Sequence, residues 1–205
     1  PIEKSDSEPR IGFIVGQCNG KIFNCHVTNS YLLETEANYS GGIAGSSNNK
    51  IINCSVKNST LAPTATSLGT IVGYLYKGEI TNCYPSNNTI SGESTYKGGI
   101  CGFAQNGTIT NCYVYANENV NGQFIGYASS TTLTKCYYDI SKSTLALIKT
   151  SKSCTTNSNY IYKTNFTATS DSIPVYQLLN QWIGNNTTYL QWKADTTLPA
   201  VFITQ

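Results

Sequence analysis

Charge, histidine and long apolar runs are all scarce in this chain of 205 residues. Only 12% of the residues are charged, the net charge is +2, and His26 is the single histidine. A strongly basic stripe, which is typical of nucleic-acid binding, is absent, so we expect no nucleic-acid partner. No run approaches the roughly 18 to 20 apolar residues that span a bilayer, and the sequence therefore predicts no transmembrane segment.

Cysteine, by contrast, recurs at a regular interval. Five of the eight cysteines belong to a repeated sequence motif, and four of these five follow an asparagine. The first four of the five are equally spaced, and the last follows after a shorter step. Just ahead of each lies an apolar pair between glycines, as in GGIAG and GTIVG. A period of roughly 20 to 50 residues indicates a repeat architecture and outweighs local propensity. The five cysteines are Cys25, Cys54, Cys83, Cys112 and Cys136.

The segments within each repeat are short, rich in β-branched residues and separated by Gly and Asn, which is typical of strands. The sequence therefore predicts an all-β fold over residues 1–140, a right-handed parallel β-helix or solenoid of about five coils, spaced roughly 4.8 Å apart. The N-terminal PIEKSDSEPR has no apolar centre, and the first repeat follows it at once. We therefore expect that a signal or lipid anchor has been removed from a longer precursor.

The repeat pattern ends after Tyr138, and residues 141–205 form a second predicted unit. One stretch, SIPVYQLLNQWIGNN, has the apolar spacing of a short helix that ends at Gly184. The segment TYLQWKADTTLPAVF predicts two short strands around a turn. We expect a small mixed α/β C-terminal cap with one short helix, which covers the open end of the solenoid.

Two structural ladders are predicted from the alternation of side chains along a strand. The repeat cysteine and the residue two positions later should both face the core, so the five cysteines should form a buried column. Stacked side chains lie at the coil spacing, whereas a disulfide needs Cβ atoms roughly 3.5 to 4.5 Å apart, so we expect thiols. The preceding asparagines should form a hydrogen-bonded ladder at a corner, namely Asn24, Asn53, Asn82 and Asn111.

Aromatic residues recur at two positions of the repeat and form the candidate ligand-binding surface. Tyr84, Tyr113 and Tyr137 directly follow the repeat cysteines and should therefore point outward. In each repeat we call the glycines on either side of the apolar pair the bracketing glycines. A second aromatic set directly follows the second of them and comprises Tyr74, Phe103 and Tyr127. Such rings suit contact with sugars or proteins. The alternative is that stacked aromatics only stabilise the sheet.

No catalytic residue, metal site or cofactor site is predicted. The acidic residues of the repeats share no evident column, as a pair of catalytic carboxylates would require. His26 follows Cys25 directly, and adjacent strand residues face opposite sides, which argues against a Cys/His nucleophile. The cysteine spacing also lacks the closely paired ligands of zinc sites.

The motif Gly-x-Ile-Ala-Gly followed by Ile-x-Asn-Cys-x-Val-x-Asn resembles the GLUG repeat of bacterial surface and secreted proteins. The unit GGIAGSSNNKIINCSVKNSTL is the closest, and the resemblance covers about residues 11–140. The chain departs from the motif at Pro85, which takes a Val position, and at Lys135, which takes an Asn position. The tail is similar to the ending of GLUG-containing surface proteins of gut Bacteroidetes. The resemblance implies an extracellular or cell-surface location.

These patterns favour a non-enzymatic bacterial adhesion or binding module that recognises a glycan or a host extracellular protein. A structural stalk that displays another domain is the first alternative. A glycan-active β-helix enzyme is the second, since parallel β-helices often carry such sites. The sequence leaves the oligomeric state open.

Overall fold

A computed structural model describes residues 8–33, 35–138, 145–156, 161–163, 173–198 and 200–203. Within these ranges the chain is an all-β parallel solenoid with one short helix, which confirms the predicted fold class. Equivalent strands of successive coils pair in parallel. Ile80 pairs with Ile51 and Ile109 at the spacing of the repeat cysteines, whereas Gly69 pairs with Gly41 at a spacing one residue shorter. The predicted repeat is therefore the structural unit.

Three complete coils contain five strands each. The first has β1 (Arg10–Gly12), β2 (Val15–Cys18), β3 (Ile22–Phe23), β4 (His26–Thr28) and β5 (Tyr31–Leu32). The second has β6 (Glu36–Gly41), β7 (Ala44–Ser47), β8 (Lys50–Ile52), β9 (Ser55–Lys57) and β10 (Thr60–Leu61). The third has β11 (Thr64–Gly69), β12 (Val72–Tyr76), β13 (Glu79–Thr81), β14 (Tyr84–Ser86) and β15 (Thr89–Ile90).

The later coils have fewer strands in the part of the chain that the structure describes. The fourth has β16 (Ser94–Gly98), β17 (Cys101–Gln105), β18 (Thr108–Thr110) and β19 (Tyr113–Val114). The fifth has β20 (Ile125–Ser129), β21 (Thr132–Thr134) and β22 (Cys136–Tyr138), and the sixth has β23 (Ile148–Lys152), β24 (Thr155–Thr156) and β25 (Ile161–Lys163). Then follow α1 (Val175–Ile183), β26 (Trp192–Lys193) and β27 (Val201–Phe202).

The coil count differs from the prediction of about five coils, because only about three turns are complete in the described residues. The step from Cys112 to Cys136 is shorter than the others, and residues 139–144 of the fifth coil lie outside the described ranges. The solenoid also extends past the expected boundary at residue 140, since β23, β24 and β25 pair with β20, β21 and β22. The sequence of this last coil is polar and lacks the apolar pattern from which the other strands are predicted. Residues 141–144 and 164–172 of the predicted cap lie outside the described residues.

The repeat cysteines form a column inside the main core. Cys54, Cys83, Cys112 and Cys136 are fully buried, whereas Cys25 of the first coil is only partly buried. All eight cysteines are free thiols. The Cys54 amide donates to the Cys83 Sγ at 3.3 Å, so the sulfur atoms also accept hydrogen bonds between coils.

The asparagines ahead of these cysteines occupy a left-handed corner, with φ from 53° to 55° in all four. Asparagine tolerates this conformation because its short side chain can hydrogen-bond locally. The Nδ2 atom of each donates to the Oδ1 atom of the previous one, at 2.9 Å for Asn53 to Asn24 and 2.8 Å for both Asn82 to Asn53 and Asn111 to Asn82. Lys135 takes the same conformation in the fifth coil, where the ladder ends.

Thiol accessibility provides a test of the core column. We expect rapid alkylation of at most Cys25 and Cys154 in the native protein, because the other six cysteines are buried. Burial also raises the pKa of the Cys83 and Cys101 thiols, which lowers the fraction of reactive thiolate. Mass spectrometry after iodoacetamide treatment counts the modified residues, and denaturant should expose all eight. Rapid native labelling of Cys54, Cys83 or Cys112 would contradict the buried column.

Candidate functional site

The first predicted aromatic column is covered rather than exposed. Tyr84, Tyr113 and Tyr137 lie outside the main core, as their alternation requires, but they are only 3%, 0% and 1% exposed. They belong to a second apolar cluster with α1, Trp192 and Phe202. This burial corrects the expectation that these three tyrosines form an open ligand surface. A row of stacked rings is a large apolar face, and burying it against the C-terminal segment is favourable.

The rings of this cluster are in direct contact. Tyr84 and Tyr113 stack with centroids 4.9 Å apart and an interplanar angle of 14°. Trp192 lies 5.4 Å from Tyr84 and 5.5 Å from Tyr113, while Phe202 lies 4.2 Å from Trp192. The Tyr113 hydroxyl donates to the Ala200 carbonyl. Burial raises the pKa of Tyr84 to about 12.

The asparagine ladder fixes the C-terminal segment to the side of the solenoid. Asn53 Nδ2 donates to the Thr188 carbonyl at 3.0 Å, and Asn82 Nδ2 donates to the Leu190 carbonyl at 3.0 Å. Asn82 Oδ1 accepts a bond of 2.7 Å from Trp192 Nε1. The described C-terminal segment, residues 173–198 and 200–203, is therefore a cap on the side of the solenoid, whereas the sequence predicts a cap on its end.

Trp192→Phe tests this attachment. The change removes the hydrogen bond to Asn82 and part of a fully buried ring, so we expect the free energy of unfolding to fall by about 1 to 3 kcal/mol. Urea denaturation followed by circular dichroism measures the change. Trp182→Phe is the matched control, since Trp182 is only partly buried in the same cluster and should cost less. Equal losses in the two variants would argue against the ladder contact.

The second aromatic column reaches the surface. Tyr74, Phe103 and Tyr127 occupy equivalent positions in β12, β17 and β20. Each side chain is partly exposed, on the outer side of its strand. The ring centroids of Tyr74 and Phe103 are 5.0 Å apart, and those of Phe103 and Tyr127 are 5.1 Å apart. These three rings therefore form one row along the solenoid.

Three further tyrosines adjoin this row. Tyr39 lies 4.7 Å from Tyr74, and Tyr96 lies 5.1 Å from Tyr127, measured between ring centroids. Tyr76 lies 6.1 Å from Tyr74. We call these six rings the aromatic surface, which comprises Tyr39, Tyr74, Tyr76, Tyr96, Phe103 and Tyr127. Sequence reasoning missed Tyr39, Tyr76 and Tyr96, although Tyr39 and Tyr96 stand two residues before the glycine that precedes the apolar pair of their repeat.

The bracketing glycines explain how rings from two sheets meet. A Cβ atom on Gly73 would lie 2.5 Å from the Ser40 amide nitrogen, and one on Gly102 would lie 2.5 Å from the Leu68 amide nitrogen. Only glycine permits this close approach of the backbones. The sheet that contains β6, β11 and β16 therefore packs directly on the sheet that contains β7, β12 and β17.

Polar and basic groups border the aromatic surface. The Arg10 guanidinium lies 5.8 Å from the ring centroid of Tyr39, and the Lys77 ammonium lies 5.1 Å from that of Tyr76. The Tyr74 hydroxyl donates to Gln105 Oε1 at 2.7 Å. Burial raises the pKa of Tyr74 to about 12. A cavity of about 110 Å³ lies at this border, lined by Arg10, Gln17, Asn19, Ser46, Ser47, Asn48, Tyr74 and Tyr76.

Two carboxylates share a column, contrary to the sequence expectation. Glu36 pairs with Thr64 in register, and Glu93 occupies the equivalent place in the next coil, just ahead of β16. Both line an open groove of about 780 Å³. Both side chains are also exposed, so neither lies in the apolar surroundings that typically make a carboxyl group a general acid.

The described residues contain no group of three or more His, Cys, Asp or Glu side chains that could hold a metal ion. His26 Nδ1 lies 2.9 Å from Ser55 Oγ, and its ring packs against Phe202 at 5.6 Å.

No helix within the described ranges is long and apolar enough to cross a membrane. No family model, curated protein or solved structure matches this chain.

Proposed function

We propose that this chain is a right-handed β-solenoid module without enzymatic activity, which binds glycans outside a bacterial cell. The aromatic surface is the observation on which the proposal rests. Its six rings come from four successive coils and remain partly exposed, although the fold buries most other large apolar side chains of these coils. An exposed aromatic cluster of this kind is typical of a binding surface.

The chemistry of the aromatic surface suits sugars. A tyrosine offers an apolar ring and a hydroxyl together, and a sugar offers apolar ring faces and hydroxyl groups at its edges. Gln17 and Gln105 stand in the same two columns as Tyr74 and Tyr76 and add amide donors and acceptors. Glu8, which pairs with Arg10 at 3.4 Å, places one carboxylate beside Tyr39. A host extracellular protein is the other partner that such a surface could bind.

The resemblance to GLUG repeats supports the proposed location. Those repeats occur in bacterial surface and secreted proteins, and five successive units of this chain carry the motif. An adhesion role in a Bacteroidetes-type surface protein would follow from that resemblance. A stalk function would need only the regular solenoid and no aromatic surface.

A glycan-active enzyme is the second candidate, and the shared groove of Glu36 and Glu93 favours it. The two residues are two strand spacings apart, roughly 9.6 Å between backbones. Inverting glycosidases hold their carboxyl groups roughly 6.5 to 9.5 Å apart, and the backbone separation here is just beyond that range. The exposure of both side chains weighs against this candidate. Release of reducing sugar that is lost in a Glu36→Gln/Glu93→Gln variant would favour the enzyme.

A glycan array tests the proposed function. We expect selective binding by the purified chain and at least a tenfold loss of affinity in the Tyr74→Ala/Phe103→Ala/Tyr127→Ala variant, since stacked rings contribute about 0.5 to 1.5 kcal/mol each. Isothermal titration calorimetry with the selected glycan then measures the dissociation constants. The Tyr74→Phe/Tyr127→Phe variant keeps the rings and separates ring contact from hydroxyl bonding.

Tyr31→Ala is the matched control, because Tyr31 is 54% exposed and lies on the first coil, away from the aromatic surface. Circular dichroism checks that each variant keeps its fold. Binding that survives in the triple variant would place the ligand elsewhere. An array with no bound glycan, followed by capture of an extracellular-matrix protein through the same residues, would replace the glycan with a protein partner.

A further inference from the structure

The sheet that carries the ring row of the aromatic surface has charges of one sign. Five of its six strands, from β2 to β20, contain no charged residue, and β23 contains two lysines. Lys152 of β23 stands in register with Ser129 and Gln105, in the column beside the ring row. Lys77, directly after β12, holds its ammonium 5.1 Å from the ring centroid of Tyr76. A ligand that lies along the rings therefore meets positive charge and no carboxylate of this sheet.

Arg10 adds a positive group at one end of the aromatic surface. Its guanidinium lies 5.8 Å from the ring centroid of Tyr39 and donates to Gln17 Oε1. Its Nε atom is buried and has no hydrogen-bond partner among the described residues. A buried donor without an acceptor is costly, so this guanidinium still has a donor to offer. Arg10 also lines the cavity of about 110 Å³ together with neutral amides and hydroxyls, which leaves room there for a carboxylate group.

Glu8 shows that this end of the surface accepts a carboxylate. Its Oε2 atom lies 3.4 Å from Arg10 Nη2, and its carboxylate lies beside Tyr39. The two side chains of the pair are 27% and 46% exposed. An exposed ion pair contributes little to stability, so the carboxylate of a ligand can take the place of Glu8 at small cost. Glu8 is therefore a competitor for the ligand rather than a fixed part of the fold.

We propose that the aromatic surface selects acidic glycans, namely polysaccharides whose sugars carry carboxylate groups. The inference rests on the proposed function and adds the charge of the ligand to it. The rings contact the apolar faces of the sugars, while Arg10 binds a carboxylate at one end through two parallel hydrogen bonds, for which a guanidinium is suited. Lys77 and Lys152 attract further carboxylates along the row. A neutral glycan gains none of these contacts.

Matched pairs of polysaccharides test this selectivity. The probes are polygalacturonate, alginate and hyaluronan, each compared with its fully methyl-esterified form, which keeps the sugar chain and removes the charge. We expect isothermal titration calorimetry to show at least about tenfold tighter binding of a charged form than of its ester, since hydrogen bonds to charged groups are the stronger ones. Raising the salt from about 50 to about 500 mM should weaken this binding, because salt screens exposed charges.

The Arg10→Gln/Lys77→Asn variant should lose about tenfold in affinity for the charged form, because both substitutions remove a cation beside the rings. Asparagine suits the second position, since Asn106 has the same left-handed backbone conformation in the next coil. Lys57→Gln/Lys193→Gln is the matched control. It removes the same number of positive charges from β9 and β26, which belong to other sheets, and it should keep the affinity.

Glu8→Gln should change the affinity in the opposite direction. It removes the competing carboxylate and keeps the shape of the side chain, so the charged form should bind a few-fold more tightly. Circular dichroism verifies the fold of each variant. Equal affinity for charged and esterified forms, equal losses in the two double variants, or weaker binding by Glu8→Gln would overturn the inference.

The glycan array separates this inference from the proposed function. Neutral glycans that bind through the aromatic surface, with no preference for acidic ones, would overturn the selectivity and leave the glycan-binding function intact. An array on which neither neutral nor acidic glycans bind would overturn both.

Discussion

The parallel register between coils is the constraint on which the rest of this structure depends. Backbone hydrogen bonds hold each residue directly beside its equivalent in the next coil, as with Ile51, Ile80 and Ile109. Each position of the repeat therefore becomes a column with one environment. A column in the core must be apolar in every coil, and a corner must suit a positive φ in every coil. The repetition in the sequence is the direct consequence of this register.

This constraint explains which features could be predicted from the sequence. The cysteine spacing defines the register, and side-chain alternation then places the cysteines in the core and the asparagines at a corner. The short helix follows from an apolar spacing that includes Val175 and Leu179, which it buries together with Ile183. All these inferences use local pattern or period. They succeed because each coil of a solenoid contacts mainly its neighbouring coils, so one repeat period predicts these contacts.

The position of the C-terminal cap could not be predicted from the repeat pattern. Trp192 reaches Asn82 across 110 residues of sequence, and no period connects them. Alternation correctly directs Tyr84 and Tyr113 outward, but it does not tell whether another segment covers them. The sixth coil was missed for a related reason. Its strands pair in register with β20, β21 and β22, but their own sequence is polar and has little apolar pattern.

The residue type varies along the column that contains Tyr74. Its members, in register, are Gln17, Ser46, Tyr74, Phe103, Tyr127 and Thr150. The same strand position therefore accepts an amide, a hydroxyl or a ring, so the solenoid does not require an aromatic residue there. The cysteine column, by contrast, does not vary over five coils. Because the fold leaves the outer position free to vary, the grouping of three rings in consecutive coils, with Tyr39 and Tyr96 beside them, supports the proposal that this surface binds a partner.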